Sequence, residues 1–192
     1  MTRDELLDLF RRSGALLDGH FRLTSGLHSA GYLQCALVLQ HPDAAERLGR
    51  ALADRLREMR PTVVLSPALG GIVIGHEVAR ALGARALFAE RQDGVLTLRR
   101  GFSISENDRV LVVEDVLTTG GSTRETIQVA VAAGGRVVAG ASIVDRSGGT
   151  VRFDVPFETL LEVSFPTFQP DACPQCAQGL PVVKPGSRVV TI

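Results

Sequence analysis

The chain has 192 residues, of which 45% are hydrophobic, and its 21 basic and 21 acidic residues give a formal net charge of zero. This length predicts one ordinary domain spanning residues 1–192, and the apolar content excludes global disorder. The balanced charge argues against a protein whose overall field recruits nucleic acid, so we expect no nucleic-acid partner.

The N-terminus is polar and charged, unlike a secretory signal peptide, and no apolar run approaches membrane-spanning length. Three cysteines, one of them far from the other two, do not make a disulfide framework. We therefore expect a cytoplasmic protein with no membrane partner.

The first sixty residues change from a helix pattern to a strand pattern and back. Apolar residues at helical spacing predict a helix over residues 2–13, with Gly14 as its stop. Residues 15–40 have strand character interrupted by turns. A second helix is predicted over residues 42–59, with Pro42 in its first turn.

From residue 62 onward the pattern alternates between strand and helix. Apolar runs predict strands at residues 63–65, 86–89, 110–113 and 137–144, with a candidate fifth at 157–163. Helices are predicted at residues 72–82 and 122–133, and the polar stretch 91–102 fits a mobile β-hairpin. This alternation predicts an α/β fold with a parallel sheet and helices on both faces. Ligands of such sheets bind beyond the carboxyl ends of the strands, so the loops at 66–71, 118–122 and 145–149 should meet there.

The stretch from residue 109 to 124 has the pattern of a phosphate site. Glu114 and Asp115 close an apolar run, and a small, hydroxyl-rich turn then leads into a helix. Free backbone N–H groups and the helix dipole favour an anion at such a helix start. Glycines there allow close approach of the backbone.

The adjacent carboxylates indicate which phosphate compound would bind. Carboxylates accept hydrogen bonds from ribose hydroxyls or hold Mg²⁺ with its water shell, so the pattern suggests a sugar phosphate with free hydroxyls. A P-loop is excluded because it needs a lysine after its glycines, and the chain's one lysine is Lys184. A dinucleotide-type Gly-x-Gly-x-x-Gly turn is also missing.

The run from Val112 to Ser122 resembles the phosphoribosyl-pyrophosphate (PRPP) loop of the type I phosphoribosyltransferases. An ordinary strand–turn–helix joint would explain the glycines but not the Glu-Asp pair beside a Thr/Ser cluster. The resemblance implies the type I phosphoribosyltransferase fold, a mainly parallel sheet flanked by helices. It also implies a small N-terminal hood, contributed by residues 14–40 with the C-terminal tail as a candidate addition.

The resemblance assigns roles residue by residue. Glu114 and Asp115 would hold the ribose hydroxyls, and the turn after them would hold the 5′-phosphate. Arg91 and Asp115 are the implied catalytic residues, with Arg91 acting across the interface of a homodimer. Mg²⁺ is the implied cofactor, carried by PRPP without direct protein ligands, and Asp115 is a candidate contact through water. The PRPP-binding residues implied are Arg91, Glu114, Asp115, Val116, Leu117, Thr118, Thr119, Gly120, Gly121 and Ser122.

Two further segments resemble parts of the family's pyrophosphate site. The first is the loop of Ala68, Leu69, Gly70 and Gly71, for which a tight strand–helix connection is the alternative. The second is the hairpin at residues 91–101, whose three arginines could close over a pyrophosphate. A solvated hairpin with ordinary surface charge is the alternative there.

Three features resemble the orotate-specific branch of the family. They are the segment 21–29 followed by Tyr32, the Asp145-Arg146 pair after a strand, and the tail around residues 173–187. This branch transfers ribose 5-phosphate from PRPP to orotate, giving orotidine 5′-phosphate and pyrophosphate in pyrimidine (UMP) synthesis. The implied orotate contacts are Thr118 and Arg146.

The chain departs from that branch where lysines are usual. Thr24 stands in the hood segment and Gly70 stands in the pyrophosphate loop. The hairpin at residues 91–101, which we call the lid, carries neither lysine nor histidine. A purine phosphoribosyltransferase of salvage therefore stays open as an alternative. A non-catalytic regulator that senses PRPP is the alternative from another functional class.

Cys173 and Cys176 form one Cys-x-x-Cys pair. A structural zinc site needs four ligands, and Cys35 and the four histidines lie far away in sequence. We therefore favour a turn with two thiols over a metal site or a redox pair. His28 lies in the hood segment, where binding of orotate or phosphate is a candidate role.

Overall fold

A computed structural model describes residues 1–23 and 25–184 of the chain. The helices are α1 (Arg3–Arg12), α2 (Cys35–Leu39), α3 (Pro42–Leu56), α4 (Gly71–Leu82), α5 (Gly121–Ala132) and α6 (Pro174–Ala177). The strands are β1 (Leu16–Arg22), β2 (His28–Leu33), β3 (Val63–Pro67), β4 (Arg85–Gln92), β5 (Val95–Leu98), β6 (Arg109–Leu117), β7 (Arg136–Asp145), β8 (Phe157–Glu162) and β9 (Thr167–Phe168). Short 3-10 turns follow α3 and precede α6.

The larger sheet has six strands in the order β5-β4-β3-β6-β7-β8. All neighbouring pairs are parallel except β4 and β5, which form an antiparallel hairpin. The predicted α/β fold, its parallel sheet and the hairpin are therefore confirmed.

Side-chain alternation along the central strands explains why helices cover both faces. Val64 of β3 and Leu111 of β6 lie in one core with residues of α1, α3 and α4. Their neighbours in sequence, Val63 and Val110, lie in a second core with Ala130 of α5. Successive side chains of a strand point to opposite faces, so continuous apolar runs require cover on each side.

Local sequence signals set the ends of the helices. Thr2 and Glu5 form a capping box at the start of α1, in which each side chain bonds the backbone N–H of the other residue. Pro42 occupies the first turn of α3, where its missing N–H is not needed. Gly83 ends α4 in the left-handed conformation, with φ of 69°.

A second, smaller sheet has three antiparallel strands in the order β1-β2-β9. We call it the hood sheet. The β1–β2 hairpin comes from the segment expected to form a hood, and β9 comes from the C-terminal part of the chain.

Most predicted elements end within about three residues of the observed ends, and the short β9 and α6 were not predicted. The two larger differences concern α2 and β6. Residues 35–39 form the short helix α2, although residues 15–40 were expected to have strand character. Strand β6 continues four residues beyond the predicted 110–113, because its pairing with β7 extends as far as Leu117 and Asp145.

Among the described residues, no helix combines the length and apolarity needed to cross a bilayer.

Candidate active site

Three loops meet at the carboxyl edge of the larger sheet. They follow the ends of β3, β6 and β7, which are parallel neighbours. The backbone N–H of Arg146 donates to the carbonyl of Leu117 at 2.8 Å, so the loops after β6 and β7 begin side by side. The predicted convergence of these loops is confirmed.

The turn from Thr118 to Gly120 leads directly into α5. Gly120 has φ of 76°, which favours glycine. The first intrahelical bond runs from the N–H of Arg124 to the carbonyl of Gly120. The N–H groups of Gly121, Ser122 and Thr123 therefore have no acceptor within the helix and are available to an anion.

Arg124, which the sequence pattern did not indicate, holds the turn before α5 through contacts of its guanidinium. Its guanidinium donates to the carbonyl of Thr119 at 2.9 Å and to the carbonyl of Arg152 at 3.2 Å. It also lies over the ring of Phe153, 5.2 Å from the centroid. These contacts link the turn to the segment after β7. No signal in the sequence marks them, because the partners become adjacent only on folding.

Glu114 is buried, with 6% of its surface exposed, and faces α5. The hydroxyl of Ser122 donates to its carboxylate at 2.7 Å. The pKa of Glu114 is raised to about 8, mainly by burial and also by the neighbouring Asp115, while the hydrogen bond from Ser122 opposes the rise. Because this hydroxyl already donates to Glu114, the group of Ser122 that is left to donate to an anion is its backbone N–H.

Asp115 faces the opposite side of the strand, towards the loop before α4. Its carboxylate lies so close to Gly70 that a Cβ atom on that glycine would stand 2.7 Å from Oδ1 and 2.8 Å from Oδ2. The acid and the expected pyrophosphate loop are thus in contact. This proximity gives a physical reason for glycine at position 70 in this chain.

A cavity of about 340 Å³ opens beside Asp115. Leu69, Gly70 and Val73 line one side of it, and residues of α2 with Gln34 line the other. The short helix α2 therefore forms a wall of the candidate site.

The lid arginines lie in different surroundings. Arg91 pairs with Glu125 of α5 at 3.0 Å, and Arg100 donates twice to Glu90, at 3.0 and 3.1 Å. Both line a cavity of about 570 Å³ next to Leu69. Arg99 takes part in none of these ion pairs.

Arg146 is half-buried beside the aromatic residue Phe165. Its guanidinium lies 5.6 Å from the centroid of that ring. Burial lowers the pKa of Arg146, although a guanidinium remains charged at neutral pH. The side chain is thus a fixed cation following β7, and its predicted contact with orotate stays a prediction, as does that of Thr118.

The paired cysteines do not form an isolated turn. His20 and His28 lie directly against Cys173 and Cys176, contrary to the expectation that the histidines are too far away in sequence to join them. The large separations in sequence had hidden this cluster.

Comparison with known proteins agrees with this geometry. Residues 36–169 match the model of the phosphoribosyl transferase domain family. The chain is 56% identical over 190 residues to the orotate phosphoribosyltransferase of Pelotomaculum thermopropionicum, covering 99% of this chain and 100% of that protein. The enzyme of the same name from Heliobacterium modesticaldum is also 56% identical over 190 residues, covering 98% of this chain and all of that one.

The fold also matches a solved structure. The crystal structure of orotate phosphoribosyltransferase from Mycobacterium tuberculosis H37Rv, in complex with inorganic phosphate, superposes with a TM-score of 0.69. It is 26% identical and covers 83% of this chain and 95% of that one. The type I fold, the phosphate-type loop and the full-length similarity together show that the chain belongs to the phosphoribosyltransferase family, within its orotate phosphoribosyltransferase branch.

Proposed function

We propose that the chain transfers the 5-phosphoribosyl group of PRPP to orotate, giving orotidine 5′-phosphate and pyrophosphate in pyrimidine (UMP) synthesis. The observation that carries the reaction class is the contact between Asp115 and Gly70 beside the open start of α5. This contact places three features together at the carboxyl edge of the larger sheet: an acceptor suited to ribose hydroxyls, a loop suited to pyrophosphate and a helix start suited to a phosphate. The choice of orotate rests on the full-length similarity to enzymes of that name.

Each part of PRPP has a matching group at this edge. The N–H groups of Gly121 and Ser122 suit the 5′-phosphate. Asp115 accepts hydrogen bonds from the ribose hydroxyls, with Glu114 as a buried second acceptor. The backbone of Gly70 and Gly71 suits the pyrophosphate.

The reaction is a displacement at C1′ of the ribose. Orotate N1 forms a bond to C1′, the bond from C1′ to the pyrophosphate oxygen breaks, and pyrophosphate leaves with that electron pair. The N1 proton passes to solvent. Catalysis then rests on positioning the two substrates and on stabilising the charge of the leaving group. Arg91 and Arg146 are the cations proposed for pyrophosphate and for the orotate carboxylate.

Mg²⁺ is part of the proposal. Asp115 is half-buried with its carboxylate beside the cavity, which suits an ion that keeps several waters and binds through one or two carboxylates plus substrate phosphates. When bound, the ion would supply positive charge that stabilises the pyrophosphate leaving group. Asp115 would orient one of its waters.

A homodimer with the lid shared between subunits is the proposed assembly. Within one chain Arg91 is paired with Glu125 and does not contact the Gly70 loop through a hydrogen bond or ion pair among the described residues. Leu69 and Val73 expose 84% and 44% of their surface at the rim of the site, which supports contact with a second copy. Sedimentation equilibrium at micromolar protein tests the assembly. A cytoplasmic location completes the proposal, supported by three cysteines that form no disulfide bond.

The test is the fall in orotate absorbance with purified protein, PRPP and Mg²⁺, with hypoxanthine, guanine, xanthine and uracil in parallel. We expect turnover of orotate alone, at least about 100-fold slower in Asp115→Asn and Arg146→Ala. Arg3→Ala, which removes an exposed arginine from α1, is the matched control and should keep full activity.

Two results would contradict the proposal. Turnover of a purine in place of orotate would favour the salvage reaction. Binding of PRPP without turnover of any base would favour the sensing regulator.

A further inference from the structure

Four side chains of metal-ligating type converge between the hood sheet and the C-terminal segment. His20 comes from β1, His28 begins β2, and Cys173 and Cys176 lie at the start of α6. Their ligand atoms all lie within 4.8 Å of one another. The proposed phosphoribosyl transfer uses none of these side chains.

The individual distances approach those of a tetrahedral site. His20 Nε2 lies 2.9 Å from His28 Nδ1, 3.4 Å from Cys173 Sγ and 3.7 Å from Cys176 Sγ. Cys176 Sγ lies 3.3 Å from His28 Nδ1. Ligands at the usual Zn–N and Zn–S bond lengths in a tetrahedron stand about 3.3 Å apart for two nitrogens and about 3.6 Å apart for nitrogen and sulfur.

A hydrogen bond fixes the tautomer of His20 in the form that a metal requires. Its Nδ1 lies 2.9 Å from the carbonyl oxygen of Leu180. A carbonyl can only accept, so Nδ1 carries the proton and Nε2 has a free lone pair directed at the cluster. An outer hydrogen bond of this kind to a backbone carbonyl is the usual support of a metal-bound histidine.

A hydrogen bond between the two histidines would explain only one of these contacts. It would join His20 Nε2 to His28 Nδ1 but give no reason for two sulfurs to approach the same nitrogens. A cation at the centre satisfies all four atoms together. Two thiolates also balance the charge of a divalent ion, so the site would bury no net charge where His20, His28 and Cys173 are 5%, 6% and 3% exposed.

We propose that His20 Nε2, His28 Nδ1, Cys173 Sγ and Cys176 Sγ bind one structural Zn²⁺ ion. Four protein ligands leave no open position, so the ion is structural rather than catalytic. The spacing of two residues between the cysteines is the one common in structural zinc sites. Binding releases the two thiol protons to solvent.

The ion would fasten a weakly attached segment. The strand β9 pairs with β2 at only two positions, and beyond it Val183 bonds to His20 and Arg22 through the backbone. Most residues from 166 to 184 are exposed, so this segment has little core of its own. A metal held by both the hood hairpin and this segment supplies the missing stability, as in small zinc domains.

The first experiment measures zinc by inductively coupled plasma mass spectrometry in protein purified without a histidine tag or chelator. We expect about one zinc per chain, and a loss of most of it in Cys176→Ser and His28→Asn. Matched controls are Cys35→Ala and His41→Asn, which remove a cysteine and a histidine outside the cluster and should keep the zinc. Equal loss in the controls, or less than about 0.1 zinc per chain in the unmodified protein together with a negative cobalt titration, would overturn the proposal.

The second experiment needs no variant. Protein stripped of metal by chelator under reducing conditions is titrated with Co²⁺, then with Zn²⁺. We expect the visible bands of tetrahedral cobalt with thiolate charge transfer, complete at about one equivalent and abolished by zinc. Zinc should also raise the Tm by at least about 5 °C and slow amide exchange in residues 16–33 and 167–184. No cobalt bands and no shift in Tm would refute the site even if every variant failed to fold.

Discussion

The two ends of β6 carry acids in opposite situations. At the amino end Asp108 accepts hydrogen bonds from the backbone and hydroxyl of Ser105, from Arg85 and from Thr62. The bond from the Ser105 N–H is the main cause that lowers the pKa of Asp108 to about 2. At the carboxyl end Glu114 is buried with one hydroxyl partner, and its pKa is raised to about 8.

This difference separates a stabilising acid from one suited to function. Asp108 is fully satisfied and joins the starts of β3, β4 and β6, so its charge contributes to folding. Glu114 and Asp115 keep acceptor capacity for a ligand, and the fold tolerates their burial and proximity. Acids with raised pKa values are concentrated at functional sites for this reason.

The largest effect on activity is expected from a substitution that displaces the side chain of Asp115 without replacing that residue. In Gly70→Ala the new Cβ would meet the Asp115 carboxylate at 2.7 to 2.9 Å, so that side chain must move. We expect kcat/KM for PRPP to fall on the order of 100-fold. Because the displaced group is a short, half-buried side chain, the Tm should change little. Unchanged activity would show that the position of Asp115 is not critical.

Replacing Glu114 should affect binding and stability in opposite directions. Glu114→Gln keeps the size but removes an acceptor, and we expect about tenfold weaker PRPP binding by calorimetry. The raised pKa means that the folded state holds a proton that the unfolded state loses, so Glu114 lowers stability progressively as pH rises from 4.5 towards 8.

The amide in Glu114→Gln does not titrate, so the variant should become more stable than the unmodified protein as pH approaches 8. Urea unfolding at several pH values measures this. Glu106→Gln, at an exposed position, is the matched control and should leave the pH dependence unchanged. An equal pH slope in both variants would contradict the assignment to Glu114.

Asp108→Asn should show the reverse pattern. It loses the charge that four donors share, and we expect a loss of about 1–2 kcal/mol in the free energy of unfolding at neutral pH, with kcat unchanged. Asp108 has its pKa lowered from 3.8 to about 2, so its contribution is complete above 3.8 and disappears as pH falls through 2. The variant and the unmodified protein should therefore converge in acid. A loss of activity in Asp108→Asn would contradict the distinction between a stabilising acid at the amino end of β6 and functional acids at its carboxyl end.

The smallest effect on stability is expected at an exposed ion pair, which serves as a reference for the acids at the two ends of β6. Asp8 and Arg12 lie 2.7 Å apart on α1, with 60% and 69% of their side chains exposed. Asp8→Asn should change the free energy of unfolding by less than about 0.5 kcal/mol and leave activity intact. Thermal unfolding at low and high salt checks this, and a larger effect would mean that α1 carries an electrostatic role.

The hood region shows where prediction from the sequence fails. Strand character was correct for β1 and β2, but the short α2 was missed, because five residues are too few for a periodic pattern to emerge. Outside the hood, the extension of β6 to Leu117 was also missed, since pairing with β7 determines it. Because the strand continues through Glu114 and Asp115, these two side chains face opposite sides of the sheet.

The sequence by itself determined the features that a contiguous segment encodes. Apolar periodicity predicted the four longer helices α1, α3, α4 and α5 and the parallel strands. The run from Glu114 to Ser122 predicted a phosphate-type loop, because strand, turn and helix start are neighbours in the chain. The tertiary structure alone decided the contact of Gly70 with Asp115, the bridge made by Arg124 and the cluster of His20 and His28 with the paired cysteines. These contacts join segments distant in sequence, and only the packing of helices and strands against each other brings them within bonding distance.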